Sequence, residues 1–215
     1  VLTGSTHKTY FGTQRGLIAA DMAPDHPRLN LWEAIERRAF PGSVSNHHLG
    51  TLLGLMMAAI EMNAFKDAYQ EQVILNAKAF ARALNDCGIE VMGNPALGFT
   101  ETHQVIVRVG YGRGPDIARR LEGNQIIVNY QAGPEEEGFS AAGYLRMGVA
   151  EMTRFGMKES DFGEVAEMLH EVIVMNRSVK ERVAAFRKRF QEMHYCMGPE
   201  ALGGAFDELH RMVGV

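Results

Sequence analysis

Gly4-Ser5-Thr6-His7-Lys8-Thr9 lies between a short apolar stretch, Val1-Leu2-Thr3, and a glycine-containing loop. A lysine held among small residues and hydroxyls can be desolvated enough to lose its proton. The resulting neutral amine is the nucleophile that an aldehyde needs to form a Schiff base. Ser5, Thr6 and Thr9 add hydroxyl donors suited to a phosphate or an amino-acid ligand. One lysine in a polar loop is, taken alone, most often a solvated surface residue. What Lys8 does therefore depends on the rest of the chain.

The 215 residues are 46% apolar and 22% charged, ordinary globular material with room for one large or two small cores. A formal net charge of −4 argues against a nucleic-acid surface, which needs a basic excess to displace counterions. Cys87 and Cys196 stand far apart without a metal-ligand pattern, which argues against a disulfide framework and for a reducing cytosol. The longest strongly apolar run, residues 52–60, is too short to span a bilayer, and no basic-plus-apolar leader opens the chain. A cytoplasmic protein without membrane or nucleic-acid partners is expected. The chain opens in what reads as a buried strand, without a starting methionine. The economical expectation is the C-terminal part of a longer polypeptide.

Periodicity and punctuation set the organisation. Residues 1–4 read as the end of a strand and 16–20 as a second short strand after the lysine loop. Asn30 is placed to cap a helix through Arg38, and Pro41-Gly42 stops it before the polar loop Ser43-Val44-Ser45-Asn46-His47-His48. Residues 49–62 form a helix that is apolar nearly all round and Met-rich, as a helix packed in a core is. Phe65, Ala68, Tyr69, Val73, Ala77, Phe80, Ala81 and Leu84 recur at three and four residues, which predicts a long amphipathic helix ended by Gly88. Strands are then predicted at 89–92, 103–109, 125–129 and 144–149, with a helix at 115–121 between the second and third. Residues 160–175 predict a helix with one buried face. Two more helices follow, one with Val179, Val183, Phe186, Phe190 and Met193 as its stripe, the other over 199–213. Arg187-Lys188-Arg189 and Glu135-Glu136-Glu137 are expected on solvated surface. The fold class is α/β: an α/β piece over 1–64, a connecting helix over 65–87, a smaller α+β domain over 88–176, and additional helices over 177–215.

Ser5-Thr6-His7-Lys8-Thr9 resembles the cofactor-lysine motif of the serine hydroxymethyltransferase family, pyridoxal-phosphate enzymes of the aspartate-aminotransferase-like fold. Three further segments match in order. Residues 40–49, Phe-Pro-Gly-Ser-Val-Ser-Asn-His-His-Leu, resemble the following loop in the archaeal-type branch. Val128-Asn129 resembles the small-domain strand. Leu145-Arg146-Met147-Gly148 through Met152-Thr153-Arg154-Phe155-Gly156 resembles the carboxylate-binding segment. The resemblance runs from Val1 to about Met175. It implies the C-terminal part of a fold-type I pyridoxal-phosphate transferase, in which 1–64 ends the large cofactor-binding α/β domain and 88–176 is the small α+β domain.

The resemblance also implies roles. Lys8 would hold pyridoxal 5'-phosphate as an aldimine and be displaced by a substrate amine, with Ser5 and His7 beside it and His7 influencing which reaction follows. Ser45 and Asn46, at a helix start, would bind the cofactor phosphate of the neighbouring subunit, so that a homodimer shares the site. Arg146 would clamp the α-carboxylate of a small amino-acid substrate, with Ser5 assisting, because a guanidinium fork offers two parallel hydrogen bonds. Bland counterparts exist: His7 as a structural hydrogen-bonder, and Arg146 as a surface partner of Glu151. His47 and His48 are adjacent, point differently and lack a spaced third ligand, so no metal is expected.

Departures from the family pattern bear on the reaction. Val149 stands where a threonine usually follows Arg-x-Gly, and Gln131 where the common form has a pterin-contacting asparagine. Ser45-Asn46-His47 replaces a Gly-Gly-Pro phosphate loop, as in the archaeal-type branch. Residues after Val174 extend beyond the usual ending. The expected activity is serine/glycine hydroxymethyl transfer, a retro-aldol cleavage of serine with the one-carbon unit passed to tetrahydrofolate or a related pterin. The alternatives are a threonine aldolase or transaldolase, an α-methylserine hydroxymethyltransferase, and a non-catalytic homologue or fragment. The groups that tune the cofactor ring are expected in an upstream N-terminal half of the same polypeptide, so the isolated chain is expected to be inactive.

Overall fold

Two antiparallel strands, β1 (Leu2–His7) and β2 (Phe11–Ala19), form a hairpin whose turn carries Lys8. The structure, a computed structural model, describes residues 1–135, 138, 141–198, 200–201, 203–204, 207 and 210–211. It separates into two units, Val1–Ala64 and Phe65–Val215.

In the first unit the hairpin is longer than the sequence predicts. The ladder runs from Leu2 opposite Ala19 to His7 opposite Phe11, with an irregularity between Ser5 and His7. Ser5 and Thr6, read as loop, are strand residues, since threonine suits a pleated surface as well as a turn. Thr6 is buried, and its Oγ1 donates to the carbonyls of Thr13 (2.7 Å) and Arg15 (3.1 Å), fastening the irregular rung. The opening strand is not buried as expected: Val1 and Leu2 are 65% and 60% exposed. Helix α1 (Leu29–Ala39) starts before Asn30, which lies inside it. Arg28 occupies the cap position without a side-chain cap bond.

Helix α2 (Leu49–Asp86) is one helix of 38 residues where two were expected. Asn63 and Ala64 contain no breaker, so the two apolar patterns join. Its first part is not the buried core helix expected from composition. Ala58 and Met62 are buried, whereas Leu49, Leu52, Leu53, Met56 and Ile60 are exposed. Within this unit one side of the helix meets the hairpin. Two glycines allow that approach: a Cβ on Gly12 would stand 2.7 Å from the Thr6 carbonyl oxygen and 2.8 Å from Leu55 Cδ1, and one on Gly54 would stand 2.7 Å from Thr13 Cγ2.

The second unit contains the rest of α2 and a four-stranded antiparallel sheet in the order β3-β4-β6-β5. The strands are β3 (Glu90–Val91), β4 (Gln104–Arg108), β5 (Asn129–Gln131) and β6 (Tyr144–Gly148). The helices are α3 (Gly114–Gly123), α4 (Ala150–Arg154), α5 (Glu159–Ile173) and α6 (Lys180–Arg187). The α2 stripe is largely as the periodicity predicts: Tyr69, Val73, Ala77, Phe80, Ala81 and Leu84 are buried, with Val105, Val107, Leu145, Met147, Ile117, Leu121, Phe162 and Leu169. Strand β5 begins four residues later than predicted. Gln125 is left-handed (φ 64°) and the Ile126 N–H still bonds back to the Leu121 carbonyl, so the chain leaves α3 before it extends.

Helix α4 was not anticipated, and a buried polar group holds it. Asn76 is fully buried, and its Nδ2 donates to Thr153 Oγ1 and to the Met157 carbonyl, both at 2.8 Å. Gln72 Nε2 donates to Asn76 Oδ1 at 2.9 Å, and Tyr69 Oη donates to the Ala150 carbonyl at 3.3 Å. The helix predicted through Met193 ends at Arg187. Arg187-Lys188-Arg189 is not simply a solvated face, because the Arg187 guanidinium lies 4.7 Å over the Phe155 ring and Arg189 pairs with Asp161 and Glu164 of α5. Arg182 pairs with Glu167 and Glu171. The helix expected over 199–213 falls largely outside the described residues, as do Glu136 and Glu137.

Asn76→Ala removes bonds from buried partners and opens a small cavity, so urea unfolding should show a loss of about 2–4 kcal/mol. Burial pushes the Tyr69 phenol up to about 12, the Arg154 guanidinium opposing and Tyr195 adding to the rise. An unfolded tyrosine ionises near about pH 10, so the unfolded state binds fewer protons above that point. The contribution of Tyr69 is therefore full below about pH 10 and is lost as pH rises toward 12. The melting temperature of the wild type should fall more steeply over that window than that of Tyr69→Phe.

Candidate active site

Lys8 follows β1 at the hairpin turn, exposed, and its Nζ donates to Ser5 Oγ at 2.7 Å. The irregular rung between Ser5 and His7 lies beneath this pair, and Thr6 anchors it from the other side. The amine is thus tied to a hydroxyl on a strand that is itself hydrogen-bonded in place.

An open groove of about 1110 Å³ adjoins the hairpin. Its lining includes Arg15, Arg38, His7, His47 and His48 and no carboxylate, a wall suited to an anion. Ser5, His7 and Asn46 share this groove, and Lys8 reaches it through Ser5. Ser45 lies in the same loop without lining the groove, while Ser43 does line it. Asn46 Oδ1 accepts the His47 N–H at 2.8 Å, which engages its acceptor locally and leaves the amide N–H groups to donate. Among the described residues no group of three His, Cys, Asp or Glu could hold a metal ion, and no helix is long and apolar enough to cross a membrane.

Sequence reading missed the residues that join loop to hairpin. Thr13 Oγ1 donates to the Thr51 carbonyl at 2.6 Å, and Arg15 Nη2 donates to Thr51 Oγ1 and, at 3.5 Å, to the His48 carbonyl. Alternating Thr13 and Arg15 on one face of a strand was a usable signal, hidden because β2 was expected to start only at Gly16.

In the second unit, Arg146 is exposed on the inner strand β6, between Ile106 of β4 and Asn129 of β5, while its neighbours Leu145 and Met147 are buried. It has no ion pair with Glu151 or any other group among the described residues, so its fork is free. Gln131 is half-buried on the edge strand β5. Val149 is fully buried, with its N–H bonded to the His103 carbonyl, so its side chain belongs to the core of this unit.

Comparison with known proteins gives these features a context. The structure of L-threonine transaldolase from Pseudomonas fluorescens matches with a TM-score of 0.81 at 32% identity, over 95% of this chain and 47% of that one. The fold is that of the C-terminal part of a fold-type I pyridoxal-phosphate enzyme. Residues 1–169 match the serine hydroxymethyltransferase family, and the chain belongs to it. The serine hydroxymethyltransferase of Archaeoglobus fulgidus is 43% identical over 201 residues, 91% of this chain and 44% of that protein. That of Methanothermobacter marburgensis is 41% identical over 199 residues, 91% of this chain and 45% of that protein. The chain thus spans somewhat less than half the length of these relatives.

Gly12→Ala would force the hairpin off α2, and thermal unfolding should register a loss of about 1–3 kcal/mol, the usual cost of overpacking.

Proposed function

We propose that the full-length protein is a pyridoxal-phosphate-dependent serine/glycine hydroxymethyltransferase, cleaving serine by a retro-aldol reaction and passing the one-carbon unit to tetrahydrofolate or a related pterin. The observation that carries this is the Lys8 amine, hydrogen-bonded to Ser5 beside a groove without carboxylates, in a chain of the serine hydroxymethyltransferase family. The residues fit the cofactor: an amine for its aldehyde, and hydroxyl, amide and guanidinium donors for its phosphate. When bound, the cofactor supplies an electron sink for the bond broken at the substrate Cα.

This chain's residues bind and orient. Lys8 Nζ holds the cofactor, and Ser5 Oγ, accepting a hydrogen bond from Nζ, sets where that amine stands. His7, exposed in the groove, packs beside the cofactor and influences which bond is broken. Ser45, the Asn46 amide and the N–H groups opening α2 bind the phosphate dianion of the neighbouring subunit's cofactor, with the helix dipole adding to their pull. Arg146 receives the α-carboxylate by two parallel hydrogen bonds. It is exposed and has no ion partner among the described residues, so no pair among them is broken to do so. Such a clamp fixes the orientation of a bound amino acid, and positioning of that kind contributes several kcal/mol. A homodimer with a shared site, a cytoplasmic location and completion of the site by the upstream half of the polypeptide belong to the same proposal.

A second reading, threonine aldolase or transaldolase or α-methylserine chemistry, is favoured by the solved L-threonine transaldolase and by Gln131 at the expected pterin contact. The full-length protein should absorb near about 420 nm and lose the band in Lys8→Ala. Absence of the band in the wild type would leave only a non-catalytic homologue. Turnover of serine with tetrahydrofolate supports the first reading, and turnover of threonine with an aldehyde and no pterin supports the second. Arg146→Lys should lower kcat/KM at least about a hundredfold, since a point charge cannot replace a fork.

A further inference from the structure

We infer that the segment 187–195, at and beyond the end of α6, is a strap that positions Arg146, with Tyr195 as its chief positioning residue, an inference that rests on Arg146 receiving a substrate carboxylate. Arg146 lies near the end of β6, and the chain runs from Gly148 through Val149 into α4, a helix of five residues. A helix that short is not stable by itself. Where the end of β6 stands therefore depends on what grips α4 from outside.

Helix α2 supplies part of the grip, through Asn76 on Thr153 and the Met157 carbonyl and through Tyr69 on the Ala150 carbonyl. The strap, which lies beyond the family-matched residues 1–169, supplies the rest. The His194 backbone N–H donates to the Arg154 carbonyl at 2.7 Å. The His194 ring lies against Gly156, where a Cβ would stand 2.7 Å from Nε2 and where a left-handed backbone (φ 89°) also calls for glycine. The Arg187 guanidinium covers the Phe155 ring at 4.7 Å, just past the end of α4. The Tyr195 ring packs 5.3 Å from that of Tyr69, the residue whose hydroxyl holds the first carbonyl of α4.

The backbone at Tyr195 is itself left-handed (φ 57°), a conformation that a bulky residue keeps only where its surroundings hold it there. That strain coincides with the delivery of one ring to Tyr69 and, one residue earlier, of one N–H to Arg154. Met147 and Val149 are buried between Arg146 and α4, so a displacement of α4 passes to Arg146 along packed backbone. Two parallel hydrogen bonds to a carboxylate are sensitive to such a displacement. Loosening the strap should therefore cost carboxylate recognition specifically.

Full-length wild type, Tyr195→Phe, Tyr195→Ala, Arg187→Gln and Arg182→Gln, each loaded with cofactor, decide the matter by calorimetric dissociation constants for L-serine and for ethanolamine, which has the same amine and hydroxyl without the carboxylate. A merely structural loss weakens both ligands alike, so the preference for serine over ethanolamine is the readout. The inference expects Tyr195→Ala to weaken serine about tenfold or more with ethanolamine little changed. Tyr195→Phe, which keeps the ring, should retain the wild-type preference, and Arg187→Gln should reduce it by a smaller factor than Tyr195→Ala. Arg182→Gln, whose pairs are with Glu167 and Glu171 of α5, should leave it unchanged. An unchanged preference in Tyr195→Ala, or an equal drop in Arg182→Gln, would overturn the inference. Should Tyr195→Ala fail to fold, Arg187→Gln decides alone. A wild type that takes up no cofactor, or binds serine no more tightly than ethanolamine, removes the role given to Arg146 and this inference with it. A discriminating wild type with unchanged variants removes only the inference.

Discussion

The close seating of the β1–β2 hairpin on the first turns of α2 is the contact on which the lysine-bearing unit depends. Gly12 and Gly54 leave no Cβ at the crossing, so the two backbones approach within the reach of short side chains. Thr6 then bonds the two strands of the hairpin to each other, while Thr13 and Arg15 bond across to Thr51 of α2. Short hydroxyl side chains lose little rotamer freedom when fixed, which suits them to a frame that must hold an amine in place. The irregular rung at Ser5 to His7 brings Ser5 Oγ and Lys8 Nζ within a hydrogen bond of each other.

The second unit uses different physics. Its sheet and helices bury a conventional apolar core, and one fully buried amide, Asn76, ties α2 to the helix that follows Arg146's strand. A buried polar group of this kind is costly unless fully bonded, and once bonded it admits few alternative packings. Helix α6 lies beyond residues 1–169, the segment shared with the family, and docks by Phe186 and by the pairs of Arg182 with Glu167 and Glu171 of α5. Those partly exposed pairs contribute modestly, and the buried phenylalanine contributes more.

Much of the second unit was legible in sequence because helix and strand periods record which side is buried. The α2 stripe from Tyr69 to Leu84 and the alternation around Arg146 are direct records of that kind. Predictions failed where periodicity carries no information. The hydroxyl-rich strand ends resembled a loop, Asn30 resembled a cap, and the apolar surface of residues 49–60 resembled a core. Composition reports that a surface tends to be covered, without reporting what covers it.

By itself the sequence determined the mixed α/β class, the lysine motif, an arginine on an otherwise apolar strand and the family to which they belong. All of these are local patterns or ordered matches along the chain. Only the tertiary structure decided that Lys8 is tied to Ser5 and that Thr6, Thr13, Arg15 and Thr51 form one path. Arg15 and Thr51 lie 36 residues apart, and the orientation of a guanidinium is set by the packing of backbones around it, which no short-range pattern encodes.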